Sequence, residues 1–116
     1  MNKPARLPPA IRRLIANPRN GIWVSAVTIW EIAIKRPLER RDAPAITAPQ
    51  AIRHFVDSGY TLLPVTEHHA AAVEDLPLLH GDPFDRLLVA QALYEPLRLV
   101  SHDERLAAYS DSVISW

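Results

Sequence analysis

The chain has 116 residues, 48% of them hydrophobic, and its 13 basic and 13 acidic side chains leave no net charge. This length and composition predict one folded globular domain, residues 1–116, and exclude a disordered chain. The zero net charge excludes a global basic field, so any contact with nucleic acid has to depend on local patches. Because there is no cysteine, disulfides and thiolate metal sites are excluded, and any metal would have oxygen ligands.

No apolar run approaches the ~20 residues that a membrane-spanning helix needs. The first ten residues, MNKPARLPPA, lack the apolar core of a signal peptide. We therefore expect a cytoplasmic protein without a membrane partner.

Taken in order, the chain alternates short apolar stretches with helical patterns. The alternation predicts an α/β fold of three layers, α/β/α, with a parallel sheet of about four strands covered on both faces. The predicted helices are 8–17, 26–36, 50–58, 67–76, one that begins at Pro83, and 104–109, and the predicted strands are 22–24, 60–65, 98–100 and 113–114.

The helix predicted at 26–36 has apolar side chains almost all round, which is typical of a buried helix. Glu31 lies in its middle, and a buried carboxylate needs a partner or a metal. Lys35 follows four residues later and offers a helix ion pair as the structural alternative. Both interpretations of Glu31 stay open at this point.

The stretch 80–92 has a strong helix start. Asp82 is suited to be the N-cap, Pro83 the first helical residue and Asp85 the third. Capping and the helix dipole give a sufficient structural reason for both acids. Two carboxylates at the start of an apolar helix also suit a functional site, and the pattern alone does not separate the two roles.

A further acid, Asp103, comes after a predicted strand. Residues 98–100 form that strand, and Asp103 comes soon after it, where it can also cap the next helix. Open α/β sheets bind ligands at the carboxyl ends of their strands. Asp85 and Asp103 are therefore expected to converge on one crevice.

The remaining polar side chains give weaker signals. Arg36, Arg40 and Arg41 form the densest basic cluster, which suits either solubility or contact with phosphate. Adjacent His68 and His69 point to different sides of their helix, so they are poor candidates for a shared metal site. All five histidines are interpreted as ordinary surface or core residues.

Three stretches together resemble a known family. SAVTIWEIAIK at 25–35, GDPFDRLLVAQA at 81–92 and LVSHDERLAAY at 99–109 look like the second, third and fourth acidic motifs of the PIN-domain family. Within that family they are similar to the VapC-type toxins of bacterial toxin–antitoxin pairs. The similarity extends over nearly all of the chain from Leu7.

The resemblance implies a ribonuclease that uses carboxylate-bound Mg²⁺ or Mn²⁺. Glu31, Asp85 and Asp103 would be its catalytic residues and metal ligands. Asp82 matches an additional acid of the subfamily, and Ser101 would orient a ligand carboxylate. The bound metal would activate water and neutralise charge on the scissile phosphate.

The same resemblance implies the partners. RNA would be the substrate, with Arg86 as a weak candidate for contact with backbone phosphate. A cognate antitoxin protein and a second copy of the chain, in a homodimer, are the expected protein partners.

One departure from the family pattern lies at the start of the chain. The family begins with an apolar strand that ends in a metal-binding aspartate, and residues 1–6 contain neither. We therefore expect a PIN-like domain that lacks its first strand, through a misplaced start codon, gene decay or replacement by another chain. The alternative function is a catalytically impaired module that binds an antitoxin or itself.

Overall fold

A computed structural model describes residues 8–38, 44–79, 81–101, 106, 108–110 and 113–115. The chain divides into two compact units, Met1–Pro64 and Val65–Trp116, which are described separately. The single-domain organisation expected from the length stays a prediction.

Among its described residues, the first unit contains three α-helices and one pair of strands. The strands are parallel, with Trp23 opposite Thr61 in register, and α2 packs against α3. The buried apolar side chains of this unit are Ile11, Val27 and Ala51. Its elements are α1 (Pro9–Ala16), β1 (Trp23–Ser25), α2 (Ala26–Lys35), a 3-10 turn (Arg36–Leu38), α3 (Ala48–Asp57) and β2 (Thr61–Leu63).

Local capping explains where the helices of the first unit begin and end. The Ser25 hydroxyl accepts a hydrogen bond from Val27 N at 3.0 Å, as an N-cap does. Thr47 and Gln50 form a reciprocal capping box, so α3 begins at Ala48, two residues earlier than predicted. After α3, Gly59 takes a left-handed conformation with φ of 83°, which a glycine adopts without strain.

The prediction that α2 is buried on nearly all sides is wrong. Val27 is fully buried, but Trp30 is 50% exposed and Ile34 is 47% exposed. These two side chains are four residues apart and lie on the same face of the helix. An apolar pattern indicates that a helix face can be buried, but whether that face is buried depends on the elements that pack against it.

The second unit is built around its longest helix. α5 packs against α4 and contacts β3, and the two strands of the unit are parallel. The buried side chains are Val89, Ala90, Ala92 and Leu106, together with the polar His69 and Gln91. Its elements are α4 (Glu67–Ala72), a 3-10 turn (Val73–Asp75), α5 (Pro83–Tyr94), β3 (Leu99–Ser101) and β4 (Val113–Ser115).

The strands confirm an α/β fold with parallel pairing. The four described strands make two separate sheets of two strands, β1 with β2 and β3 with β4. Each described strand is three residues long, which limits each ladder to a few hydrogen bonds. The three-layer arrangement stays a prediction. Half of the helix predicted at 104–109 lies outside the described residues.

Candidate metal centre

The start of α5 places two predicted site residues within one helical turn. Asp82 is the N-cap, and its Oδ1 accepts a hydrogen bond from Phe84 N at 2.9 Å. Pro83 is the first helical residue, and Asp85 follows at the third position in the first turn. This arrangement confirms the predicted helix start. It also means that the Asp82 side chain already has a structural role.

Asp85 is half-buried, and its carboxylate lies at the positive end of the α5 dipole. That dipole stabilises a negative charge there without any metal. The position therefore suits an ionised carboxylate, which is the form that binds Mg²⁺ or Mn²⁺.

Glu31 lies on α2 in the first unit, with its side chain 27% exposed. Lys35 Nζ donates a hydrogen bond to Glu31 Oε2 at 2.5 Å. The ion pair that the spacing offered as the structural alternative is therefore present. A cation that bound Glu31 would have to compete with the Lys35 ammonium for this oxygen.

The other acid and its neighbour lie near β3. Ser101 is the last residue of β3 and is half-buried, whereas Asp103 lies outside the described residues. Asp82 and Asp85 are therefore brought together, while Glu31 belongs to the other unit. That Glu31, Asp85 and Asp103 share one metal stays a prediction. Within the part of the chain that the structure describes, no group of three or more histidine and acidic residues could hold a metal ion.

The donor chemistry of the described acids fits a hard cation. Carboxylate oxygens are the ligands that Mg²⁺ and Mn²⁺ prefer, and Asp85 has a half-buried carboxylate in the first turn of α5. Glu31 fits less well because of its pairing with Lys35. Asp85 is a described candidate for a metal ligand through its position at the start of α5.

Arg86, predicted as a weak phosphate contact, has an extensive set of protein contacts. Its Nη1 donates to Pro77 O at 3.0 Å and to the Tyr109 hydroxyl at 3.4 Å. Its Nη2 donates to Val73 O at 3.3 Å and to Leu76 O at 3.5 Å. The sequence analysis missed this role, since no local pattern links an arginine to carbonyls nine to thirteen residues away.

A buried polar cluster connects α4 and α5. His69 is fully buried, and its Nδ1 accepts hydrogen bonds from Thr66 N at 3.0 Å and from the Gln91 amide at 3.3 Å. Its Nε2 therefore carries the proton and donates to the Glu95 carboxylate. His68, in contrast, is exposed and stacks on Tyr94. The prediction that the two histidines point to different sides is confirmed, and the T-x-x-H spacing of a capping box was the available signal for His69.

The basic cluster is only partly described. Arg36 Nη1 donates to Pro44 O at 2.8 Å, while Arg40 and Arg41 lie outside the described residues. An open groove of about 620 Å³ adjoins Arg36, lined by Ile32, Ala33, Arg36, Pro37, Pro44, Thr47, Ala48 and Pro49. Within the described ranges, no helix has both the length and the apolar character to cross a membrane.

Comparison with known protein families finds one match. The family model described as PIN domain matches residues 4–111, which is nearly the whole chain. Comparison with curated proteins finds no match, and comparison with solved structures finds none either.

Proposed function

The chain belongs to the PIN domain family, and from this premise we propose that it is a ribonuclease that uses Mg²⁺ or Mn²⁺. PIN domains have an α/β fold, are generally metal-dependent nucleases and typically use divalent metal ions. PIN nucleases generally bind RNA. RNA is therefore the proposed substrate, and phosphodiester hydrolysis is the proposed reaction.

The observation that carries the proposal is the position of Asp85 within the matched region. It lies in the first turn of α5, half-buried, where the helix dipole favours its charged form. Proposed metal ligands are Asp85, Asp103 and Glu31, with Asp82 and Ser101 in support. A bound metal would supply an activated water and neutralise charge on the phosphate.

The chain's own residues have separate tasks in this proposal. Asp82 stabilises the start of α5 through the hydrogen bond that its carboxylate accepts from Phe84 N. This bond fixes the backbone of the helical turn from which the Asp85 side chain extends. Glu31 can bind the metal fully only when its ion pair with Lys35 breaks. Its contribution to metal binding therefore depends on the metal concentration. Ser101 would orient the carboxylate of Asp103.

We extend the proposal to the biological setting. The motif resemblance supports a VapC-type toxin that acts in the cytoplasm, is neutralised by an antitoxin protein and forms a homodimer.

The test is RNA cleavage by the purified chain with Mg²⁺ or Mn²⁺. Asp85→Asn should lower the rate by about 100-fold, since it removes one negative ligand while it keeps the side-chain shape. Asp57→Asn is the matched control, because Asp57 is an exposed acid at the end of α3. The proposal fails if the wild type cleaves no RNA with either metal, or if the two variants cleave equally fast.

A second candidate function is a binding module without catalytic activity. It is favoured by the apolar surface of α2, where Trp30 and Ile34 are both about half exposed. Exposed apolar patches of this kind mark sites for protein partners. Light scattering that shows self-association, together with no metal-dependent cleavage, would favour this candidate over the ribonuclease.

A further inference from the structure

Arg86 makes hydrogen bonds to three separate parts of the second unit. Its guanidinium donates to the carbonyl of Val73, the first residue of the 3-10 turn after α4, to that of Leu76, which follows the turn, and to Pro77 O just beyond. It also donates to the hydroxyl of Tyr109. The Val73 carbonyl also accepts a hydrogen bond from Leu76 N at 3.1 Å, so the guanidinium is its second donor. A cation is favoured near the C-terminal end of a helical segment.

The backbone of the same residue holds the other end of the connecting loop. Arg86 N donates to Asp82 O at 3.0 Å, which closes the first turn of α5. The side chain holds Pro77 O at 3.0 Å, at the beginning of the loop. One residue therefore bonds both to Pro77 O and to Asp82 O, the N-cap of the turn that carries Asp85.

The geometry points to Arg86 as a positioning residue for the metal ligand Asp85, an inference that rests on the proposed function. The guanidinium itself contacts neither metal nor RNA in this role. It fixes the first turn of α5 relative to the 3-10 turn and Tyr109, and thereby fixes where the Asp85 carboxylate is presented. Metal sites depend on such supporting contacts, whose loss lowers affinity or activity by about 10–100-fold.

Charge alone is not sufficient for this role. An arginine has five N–H donors in a rigid planar fork, whereas a lysine has its donors on a single nitrogen. A lysine at position 86 would keep the positive charge but could not reach the carbonyls and the Tyr109 hydroxyl together. Arg86→Lys therefore separates positioning from electrostatics.

The experiment measures Mn²⁺ binding directly, by the EPR signal of free Mn²⁺, with RNA cleavage as a second readout. The variants are Arg86→Lys, Tyr109→Phe, Asp85→Asn and the matched control Arg98→Lys, which alters an exposed arginine before β3. Circular dichroism at the assay temperature reports the folded fraction. We expect Arg86→Lys to weaken Mn²⁺ binding about 10–100-fold while it stays folded, and excess Mn²⁺ to restore part of kcat. Tyr109→Phe should weaken binding by a smaller factor, about 3-fold, and Arg98→Lys should match the wild type.

The outcomes separate the two proposals. If the wild type binds Mn²⁺ through Asp85 and Arg86→Lys binds it equally well, the positioning role is refuted and the ribonuclease proposal stands. If Asp85→Asn leaves the wild-type Mn²⁺ affinity unchanged, the proposed metal site fails and the positioning role fails with it. If Arg86→Lys does not fold, Tyr109→Phe decides, and an affinity equal to that of the wild type refutes the inference.

Discussion

Asp82 and Asp85 can be separated experimentally into a capping residue and a metal ligand. The Asp82 carboxylate accepts a hydrogen bond from Phe84 N at 2.9 Å, so Asp82→Ala removes one N-cap bond. That loss should lower the free energy of unfolding by about 1 kcal/mol, whereas Asp82→Asn should be nearly neutral because asparagine caps helices equally well. Asp85→Asn removes only a charge at the helix start and should cost about 0.3–1 kcal/mol without metal.

Metal binding should change the order of stability among these variants. A ligand that binds only the folded state stabilises it by about 2.7 kcal/mol at a concentration 100 times its dissociation constant. We therefore expect Mn²⁺ at that concentration to stabilise the wild type and Asp82→Asn, and Asp85→Asn to lose most of the gain. Urea unfolding followed by far-UV circular dichroism, with and without Mn²⁺, measures both effects.

Two results would refute this reasoning. If Asp82→Asn destabilises the protein as much as Asp82→Ala does, the charge of Asp82 and not its hydrogen bond stabilises α5. If Asp85→Asn keeps the full Mn²⁺ gain, Asp85 is not a ligand. Asp57→Asn, at the end of α3, should leave the Mn²⁺ gain unchanged and serves as the control.

Three further predictions follow from the described contacts. His69→Leu should lower the free energy of unfolding by about 2–4 kcal/mol, because Thr66 N and Glu95 lose their partner. His68→Leu should lower it by less than about 1 kcal/mol. Chemical denaturation of both variants tests this difference. Gly59→Ala should lower the free energy of unfolding by about 1–2 kcal/mol because of the φ of 83°, while Gly81→Ala should change it by less than about 0.5 kcal/mol. An added Cβ meets no atom within 4 Å at either position, so equal losses in thermal unfolding would contradict the backbone argument. Lys35→Met should change stability by less than about 1 kcal/mol and tighten Mn²⁺ binding by releasing Glu31; an unchanged Mn²⁺ affinity would remove Glu31 from the proposed site.

Local chemistry made several features predictable from the sequence. The N-cap Asp82 and the helix starts at 26 and 67 were predicted correctly. Asp82 and the N-caps of those two helices, Ser25 and Thr66, each bond to a backbone N–H two or three residues away. The Glu31–Lys35 pair was foreseen as an alternative for the same reason, since residues four apart are neighbours on any helix. The parallel direction of the strands followed from their alternation with helices.

The candidate site was predictable only in part. The sequence placed Asp85 at the third position of α5, and the structure has it there. Whether Glu31, Asp85 and Asp103 meet depends on contacts between residues that are far apart in the chain, which no local pattern specifies. The contacts of Arg86 with Val73 and Tyr109 were missed for the same reason.

The sequence by itself determined the helix starts at 26, 67 and 83 and the strand directions. The helix starts depend on neighbours within about one helical turn, and the strand directions follow from the alternation of strands with helices. Only the tertiary structure decided that His69 and not His68 is buried, that Trp30 on α2 is half exposed, and that the strands pair two by two. Burial is a property of the space between elements: an apolar face lowers the free energy only when another element covers it. A sequence therefore indicates which faces of a helix or strand can be buried, and the packing of the elements determines which of them are buried.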